Sequence, residues 1–210
     1  MKKWVCFLMA LVLGMMLLGC DEEEVSATPE ERLEALNGQG TVRMNGDFSE
    51  ADQATDISVD GVSCGYLQES GLLSTKWTVS IQGQDRFYAK FAESEQVPNR
   101  QASVVGTTFG FYTPEDTCIG YAQEQLTETG AYHWVFLNSD GSGQGIWAAE
   151  DCTELYSDDG TLLARGTADY SYGGDLCTVT IDCVGGQDVP IYAKLVMYEE
   201  LLTDAKNIHG

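Results

Sequence analysis

Phe87-Tyr88-Ala89-Lys90-Phe91 alternates, with Phe87, Ala89 and Phe91 on one face, and Tyr132-His133-Trp134-Val135-Phe136-Leu137 is apolar on both faces, as a central strand is. Around these runs the turn pairs Asp60-Gly61, Asp140-Gly141, Asp159-Gly160 and Gly185-Gly186 recur. Short strands broken by such pairs predict consecutive β-hairpins. One segment is ambiguous. Thr113-Pro114-Glu115-Asp116 resembles a helix cap, and Ile119, Ala122 and Leu126 follow at helical spacing. Yet FYTPEDTCIGYA (111–122) can be laid on LYSDDGTLLARG (155–166), with Tyr112 on Tyr156 and Thr117 on Thr161. SDDG is a plain hairpin turn, so TPED is read as one too, with proline at the second turn position.

A longer repeat runs through the chain. Asp60-Gly61 corresponds to Asp159-Gly160, TVSI at 78–81 to TVTI at 178–181, and Gly83-Gln84-Asp85 to Gly186-Gln187-Asp188. FYAK at 87–90 then corresponds to IYAK at 191–194, pairing Tyr88 with Tyr192 and Lys90 with Lys194. No cysteine is shared between the copies: Trp77 aligns beside Cys177, and Cys183 falls in an extra loop. The expectation is an all-β, antiparallel, hairpin-rich sandwich or barrel with an internal duplication. Its two related units would cover about 41–128 and 131–200 of a β-rich region, 41–210.

Ahead of this region lies an acidic spacer, 20–40. Within it Thr28-Pro29-Glu30-Glu31 is a capping-box start and Asn37-Gly38 a stop, predicting a short helix. So short a helix is marginal alone and is expected to rest on the domain through Leu33 and Leu36.

The first 19 residues have the layout of a secretory signal peptide: Lys2 and Lys3, then Trp4 to Leu18, apolar apart from Gly14. The stretch Trp4 to Gly19 would span only about 24 Å as a helix, short of a membrane core of roughly 30 Å. Leu17-Leu18-Gly19-Cys20 resembles the lipobox of bacterial lipoproteins. That resemblance covers the first 20 residues and implies cleavage before Cys20, with a diacylglycerol on its thiol. Two acyl chains hold a protein stably where one does not. It places the chain on the outer face of the cytoplasmic membrane or the cell surface.

The chain has 210 residues and a net charge of −22. Without Lys2 and Lys3 it carries 9 basic against 33 acidic residues, a net −24. Such a surface repels nucleic acid and anionic headgroups, so nucleic acid is not an expected partner. Cys6 lies in the removed segment, and the five domain cysteines, Cys64, Cys118, Cys152, Cys177 and Cys183, form no CxxC pair for zinc. With TVTI as a strand between them, Cys177 and Cys183 stand roughly 20 Å apart. A disulfide tolerates about 7 Å, so they are not expected to bridge.

Catalytic patterns are sparse. The histidines are His133, inside an apolar strand, and His209, beside the C-terminus; Gly141-Ser142-Gly143 is a turn and not a nucleophile elbow. Cys64 with His133 is the best nucleophile–base pair on offer, and nothing in the sequence brings them together. Acidic residues are so numerous that carboxylate pairs carry no specificity. Asn138, Asp140 and Ser142, followed by Gly143, imitate the opening of a calcium loop, but Ala149 stands where the closing acid belongs. Calcium is the only cofactor suggested, and a hairpin turn is the simpler reading. Aromatics remain. Tyr132, Trp134 and Phe136 share a strand face that core packing would claim first; Trp134, Trp147, Tyr170 and Tyr172 are the candidate ligand aromatics.

The expected function is a lipid-anchored, non-enzymatic binding or accessory module of the envelope, with a glycan or protein ligand. The alternatives are a hydrolase acting on wall or extracellular polymer, and a structural envelope subunit.

Overall fold

The structure, a computed structural model, describes residues 27–47, 54–70, 76–98, 105–171 and 176–209. The expected signal peptide, the residues Leu17, Leu18 and Gly19 read as a lipobox, the expected lipidation residue Cys20, and Tyr172 lie outside the described residues.

Twelve strands form one closed antiparallel barrel. They are β1 (Val42–Asp47), β2 (Ala54–Val59), β3 (Val62–Ser70), β4 (Lys76–Ile81), β5 (Gln84–Phe91), β6 (Val105–Tyr112), β7 (Cys118–Leu126), β8 (Tyr132–Asn138), β9 (Gly143–Ala149), β10 (Glu154–Ser157), β11 (Leu162–Tyr170) and β12 (Leu176–Cys183). Each pairs with the next, and β1 pairs with β12 to close the ring, leaving no sheet edge exposed. Helix α1 (Pro29–Asn37) precedes the barrel and α2 (Ile191–His209) follows it.

The repeat resolves at the level of the hairpin. At one end of the barrel, here the lower end, the turns joining β2–β3, β4–β5, β6–β7, β8–β9 and β10–β11 each adjoin a break in register. Two of these breaks fall before Tyr112 and Tyr156, the residues the sequence alignment superposes. The turns match as well: Thr113 N–H donates to Thr117 O at 2.8 Å, and Ser157 N–H to Thr161 O at 3.0 Å. An extra residue in one strand bends it and increases its twist, so five bulges in one tier help curl the sheet closed. Asp60-Gly61 and Gln82-Gly83 have positive φ at both residues, the two-residue turn that suits the twist of a hairpin.

The second half of the longer repeat departs from expectation. TVSI and TVTI both lie in strands, β4 and β12, whereas FYAK lies in β5 and IYAK opens α2. Pro190 has no N–H, and its carbonyl accepts from the amides of Ala193 and Lys194. Asn37 Oδ1 accepts from Ile191 N–H at 2.9 Å, capping the helix. From there α2 is buried as far as Tyr198 apart from half-buried Tyr192 (Ile191, Ala193, Leu195, Val196, Met197, Tyr198). Leu201, Leu202 and Ala205 continue the buried face while Thr203 and Asp204 reach solvent, as a helix running up the inside of a barrel to its upper end does.

The interior is therefore packed, not hollow. Met44, Ile57, Val79, Ile81, Phe111, Phe136, Leu155 and Ile181 from the wall join α2 in one core. The outer wall alternates to Arg43, Asn45, Asp56, Arg165, Thr167 and Asp169, the reverse of a barrel that faces lipid. The helix lies close to the wall at Gly46 and Gly166. A Cβ on Gly166 would meet Leu201 Cδ1 at 2.5 Å and Met197 Cε at 3.1 Å. Gly166→Val is expected to lower stability by about 2–3 kcal/mol through overpacking, read as a fall in urea midpoint at unchanged slope.

Helix α1 forms as its capping box predicts: Glu31 N–H donates to Thr28 Oγ1 at 3.2 Å and Thr28 N–H to Glu31 Oε2 at 2.7 Å. It rests on the lower end through Leu36, fully buried, and Leu33. Arg32 donates to Ser63 O, Gln82 Nε2 to Ala27 O at 2.8 Å, and Arg86 pairs with Glu30 at 3.2 Å. The spacer helix is thus a fixed part of the barrel's base.

Candidate functional site

Inside–outside alternation decides which candidate residues reach solvent. Trp134 faces inward, 2% exposed, with its ring 5.6 Å from Phe109 and nearly parallel to it. Phe136 is buried beside it, which removes that face from the accessible aromatics. Tyr170 is half-buried and packs against the same core. Trp147 faces outward.

Around Trp147 the outer wall forms a hollow. The outer face of β7 carries Gln123 and Gln125, that of β8 His133, Val135 and Leu137, and that of β9 Gly143, Gly145 and Trp147. The register sets Gln125 against His133, Gln123 against Val135, and Val135 against Trp147. Since Gly143 and Gly145 present no side chains, a hollow of about 250 Å³ opens there, bounded also by Asp158. A second hollow of about 420 Å³, lined by Thr127, Ala131, Tyr132 and Ala149, shares His133 and Trp147 with the first. Below, Val97 of the segment after β5 packs on Tyr121 and Leu137. A Cβ on Gly141 would come within 1.7 Å of Pro98 O, so that turn has to be glycine to seat against the segment.

The site is rigid. The Trp147 indole N–H donates to Ser157 O at 3.2 Å, and its ring stacks on Tyr156 at 4.7 Å with planes 19° apart. Tyr156 donates in turn to Glu154, which pairs with Arg165 at 3.2 Å. Gln125 Nε2 donates to Gln123 Oε1 at 3.0 Å, and Gln123 Nε2 to Thr108 Oγ1 at 3.4 Å. Gln123 is 1% exposed and Thr108 is 3% exposed, so this amide ladder is a buried and satisfied support. His133 stands edge-on to Trp147 at 6.3 Å; its Nδ1 is buried with no partner among the described residues.

The remaining candidates fall elsewhere. Cys64 is buried in the barrel interior on β3, where burial pushes its thiol up, whereas His133 is on the outside of β8; they form no dyad. The five domain cysteines are free thiols. Asn138, Asp140 and Ser142 form a closed turn: Asn138 Nδ2 donates to Ser142 Oγ and Ser142 N–H to Asp140 Oδ1, each at 2.9 Å. Those Ser142 bonds hold the Asp140 carboxyl below its usual range. Among the described residues no three His, Cys, Asp or Glu side chains gather as metal ligands would. The side chain of His209 is outside the described set.

Carboxylates converge at the upper end. Glu200 on α2 is half-buried, and desolvation, then the charges of Glu124, Glu199, Asp204 and Glu150, push it up to about 7. Below about pH 4.5 it is protonated in both folded and unfolded chains. Between 4.5 and 7 the unfolded chain ionises first, so stability falls as pH rises, and above 7 the loss is complete. Screening by solvent limits it to roughly 1–2 kcal/mol. Glu200→Gln is expected to flatten the melting temperature between pH 5 and 8. An unchanged pH slope in that variant would show that Glu200 is not the group responsible.

Comparison with known protein families, curated proteins and solved structures finds no match.

Proposed function

We propose that this chain is an envelope lipoprotein, held at the outer face of the cytoplasmic membrane or the cell surface through Cys20, and that it acts as a binding module. One observation supports this most directly. The barrel interior is filled by α2, while the polar outer wall carries a preformed hollow with amide, imidazole, carboxylate and aromatic groups converging on it. The lipobox supports the anchor. Only the eight residues 21–28 separate Cys20 from α1. They reach at most about 28 Å, so the base of the barrel faces the bilayer and the side wall stands in the aqueous phase.

Fractionation and labelling test the anchor. Cells making the full chain are expected to hold it in the membrane fraction with label from radioactive palmitate, and Cys20→Ser is expected to lose both. Retention of the label by Cys20→Ser would remove the lipoprotein reading. The groove is tested by the titrations that follow.

A further inference from the structure

We infer that the outer-wall groove takes a neutral glycan chain, with one sugar ring stacked on Trp147. This rests on the groove being the ligand site and goes on to name the ligand class. Trp147 supplies what the apolar C–H face of a pyranose needs: a flat surface fixed before the ligand arrives. Its N–H is tied to Ser157 O and Tyr156 backs its ring, so little ordering is left for binding to impose.

Polar groups for sugar hydroxyls stand beside it. Gln125 spends one amide hydrogen on Gln123, which leaves its carbonyl oxygen and second hydrogen to meet a hydroxyl that both donates and accepts. Asp158 adds a carboxylate acceptor at the far side.

Charge narrows the class. Among the described residues no lysine or arginine lines either hollow, Asp158 is acidic, and the whole chain carries −22. A phosphorylated, sulfated or uronate polymer would meet repulsion from Asp158 and from the acidic chain as a whole. Shape extends the ligand beyond one ring. The hollows of about 250 and 420 Å³ are both lined by His133 and Trp147, so there is space for neighbouring units on more than one side of the stacked ring.

The test is titration of the full lipidated protein in detergent micelles, followed by tryptophan fluorescence and calorimetry. The probes are hexasaccharides of β-1,4-glucose, α-1,4-glucose and β-1,4-N-acetylglucosamine, a hexauronate of the same length, and an uncharged decapeptide. At least one neutral hexasaccharide is expected to bind saturably, and the hexauronate not to bind. Trp147→Ala should weaken the binding about 10-fold and Gln125→Ala about 5-fold. Gly143→Leu is the second variant, because a Cβ there meets nothing within 4 Å, so the barrel tolerates it while the groove is filled. It should abolish binding at an unchanged melting temperature, which keeps the result readable if Trp147→Ala fails to fold. Glycan binding indifferent to Gly143→Leu, or hexauronate binding as tightly, overturns the inference. Binding of the decapeptide alone, lost in Gly143→Leu, overturns the glycan but leaves the groove as the binding site. No binding by any probe overturns both.

Discussion

A chain ending at Pro190 is expected not to form the barrel at all. Helix α2 contributes Ile191, Leu195, Val196, Met197, Leu201 and Leu202 to the interior, each at most 8% exposed. Fully burying such a side chain is worth about 1.5–3 kcal/mol, so these six alone supply roughly 9–18 kcal/mol. The net stability of a domain is about 5–15 kcal/mol, the same order as the term removed. The wall has no means of compensating, since Ala164, Gly166 and Gly46 are small to admit the helix and would line a void without it. The truncated chain should therefore lose the near-ultraviolet dichroism of Trp77 and Trp134 and bind a hydrophobic dye. Cooperative unfolding with native dichroism would mean that the barrel stands without its helix.

The dependence on α2 explains where sequence reading succeeds. Hairpins are local: Asp60-Gly61, Ser157-Asp158-Asp159-Gly160 and Thr113-Pro114-Glu115-Asp116 carry their turn chemistry within four residues, and the structure forms a turn at each. The spacer helix is local too, because Thr28 and Glu31 satisfy each other. IYAK is different. Its four residues suit a strand as readily as a helix, and the choice is made by Pro190 and by Asn37, which is 154 residues away in sequence. Leu195-Val196-Met197-Tyr198 and Leu201-Leu202, apolar without alternation and parted only by Glu199-Glu200, were the available sign of a helix sunk in the core.

The groove was legible only in part. Trp147 could be singled out as an exposed aromatic, but alternation gives two faces and not which one is inside. His133-Val135-Leu137 and Tyr132-Trp134-Phe136 are both apolar enough to be core, and the structure buries Trp134 and Phe136 of the second while half-buried Tyr132 lines the second hollow. Gln123 and Gln125 were missed because amides carry no strand signal. What brings them to Trp147 is the register of three strands. Gly143-x-Gly145-x-Trp147, glycines on one face of a strand leading to a tryptophan, was the pattern that marked an open floor.

Lys194 carries the second large effect, and it couples the two helices. The residue is fully buried, and its Nζ donates to Leu36 O and Gly38 O, each at 2.8 Å. These are carbonyls at the C-terminal end of α1, where a helix leaves acceptors unpaired and its dipole favours a cation. Burial holds the ammonium below its ordinary pKa, with Cys183 and then Asp188 and Asp60 acting against that shift. Lys194→Met keeps the packing volume and removes the buried charge, which is a gain. It also strands two carbonyls in the base of the barrel, at about 1–3 kcal/mol each. The carbonyls outweigh the relieved desolvation, because that cost has already been reduced by satisfied hydrogen bonds. A net loss of about 2–4 kcal/mol is expected, read as the urea midpoint. The loss should be concentrated at α1: limited proteolysis should cut between residues 27 and 40 in Lys194→Met while the barrel strands stay protected from hydrogen exchange. Asn37→Ala removes only the cap on Ile191 and should cost about 1 kcal/mol. If Lys194→Met matches the wild type in stability and in protection of α1, the lysine is a tolerated charge and not the bolt that holds the spacer helix to the barrel.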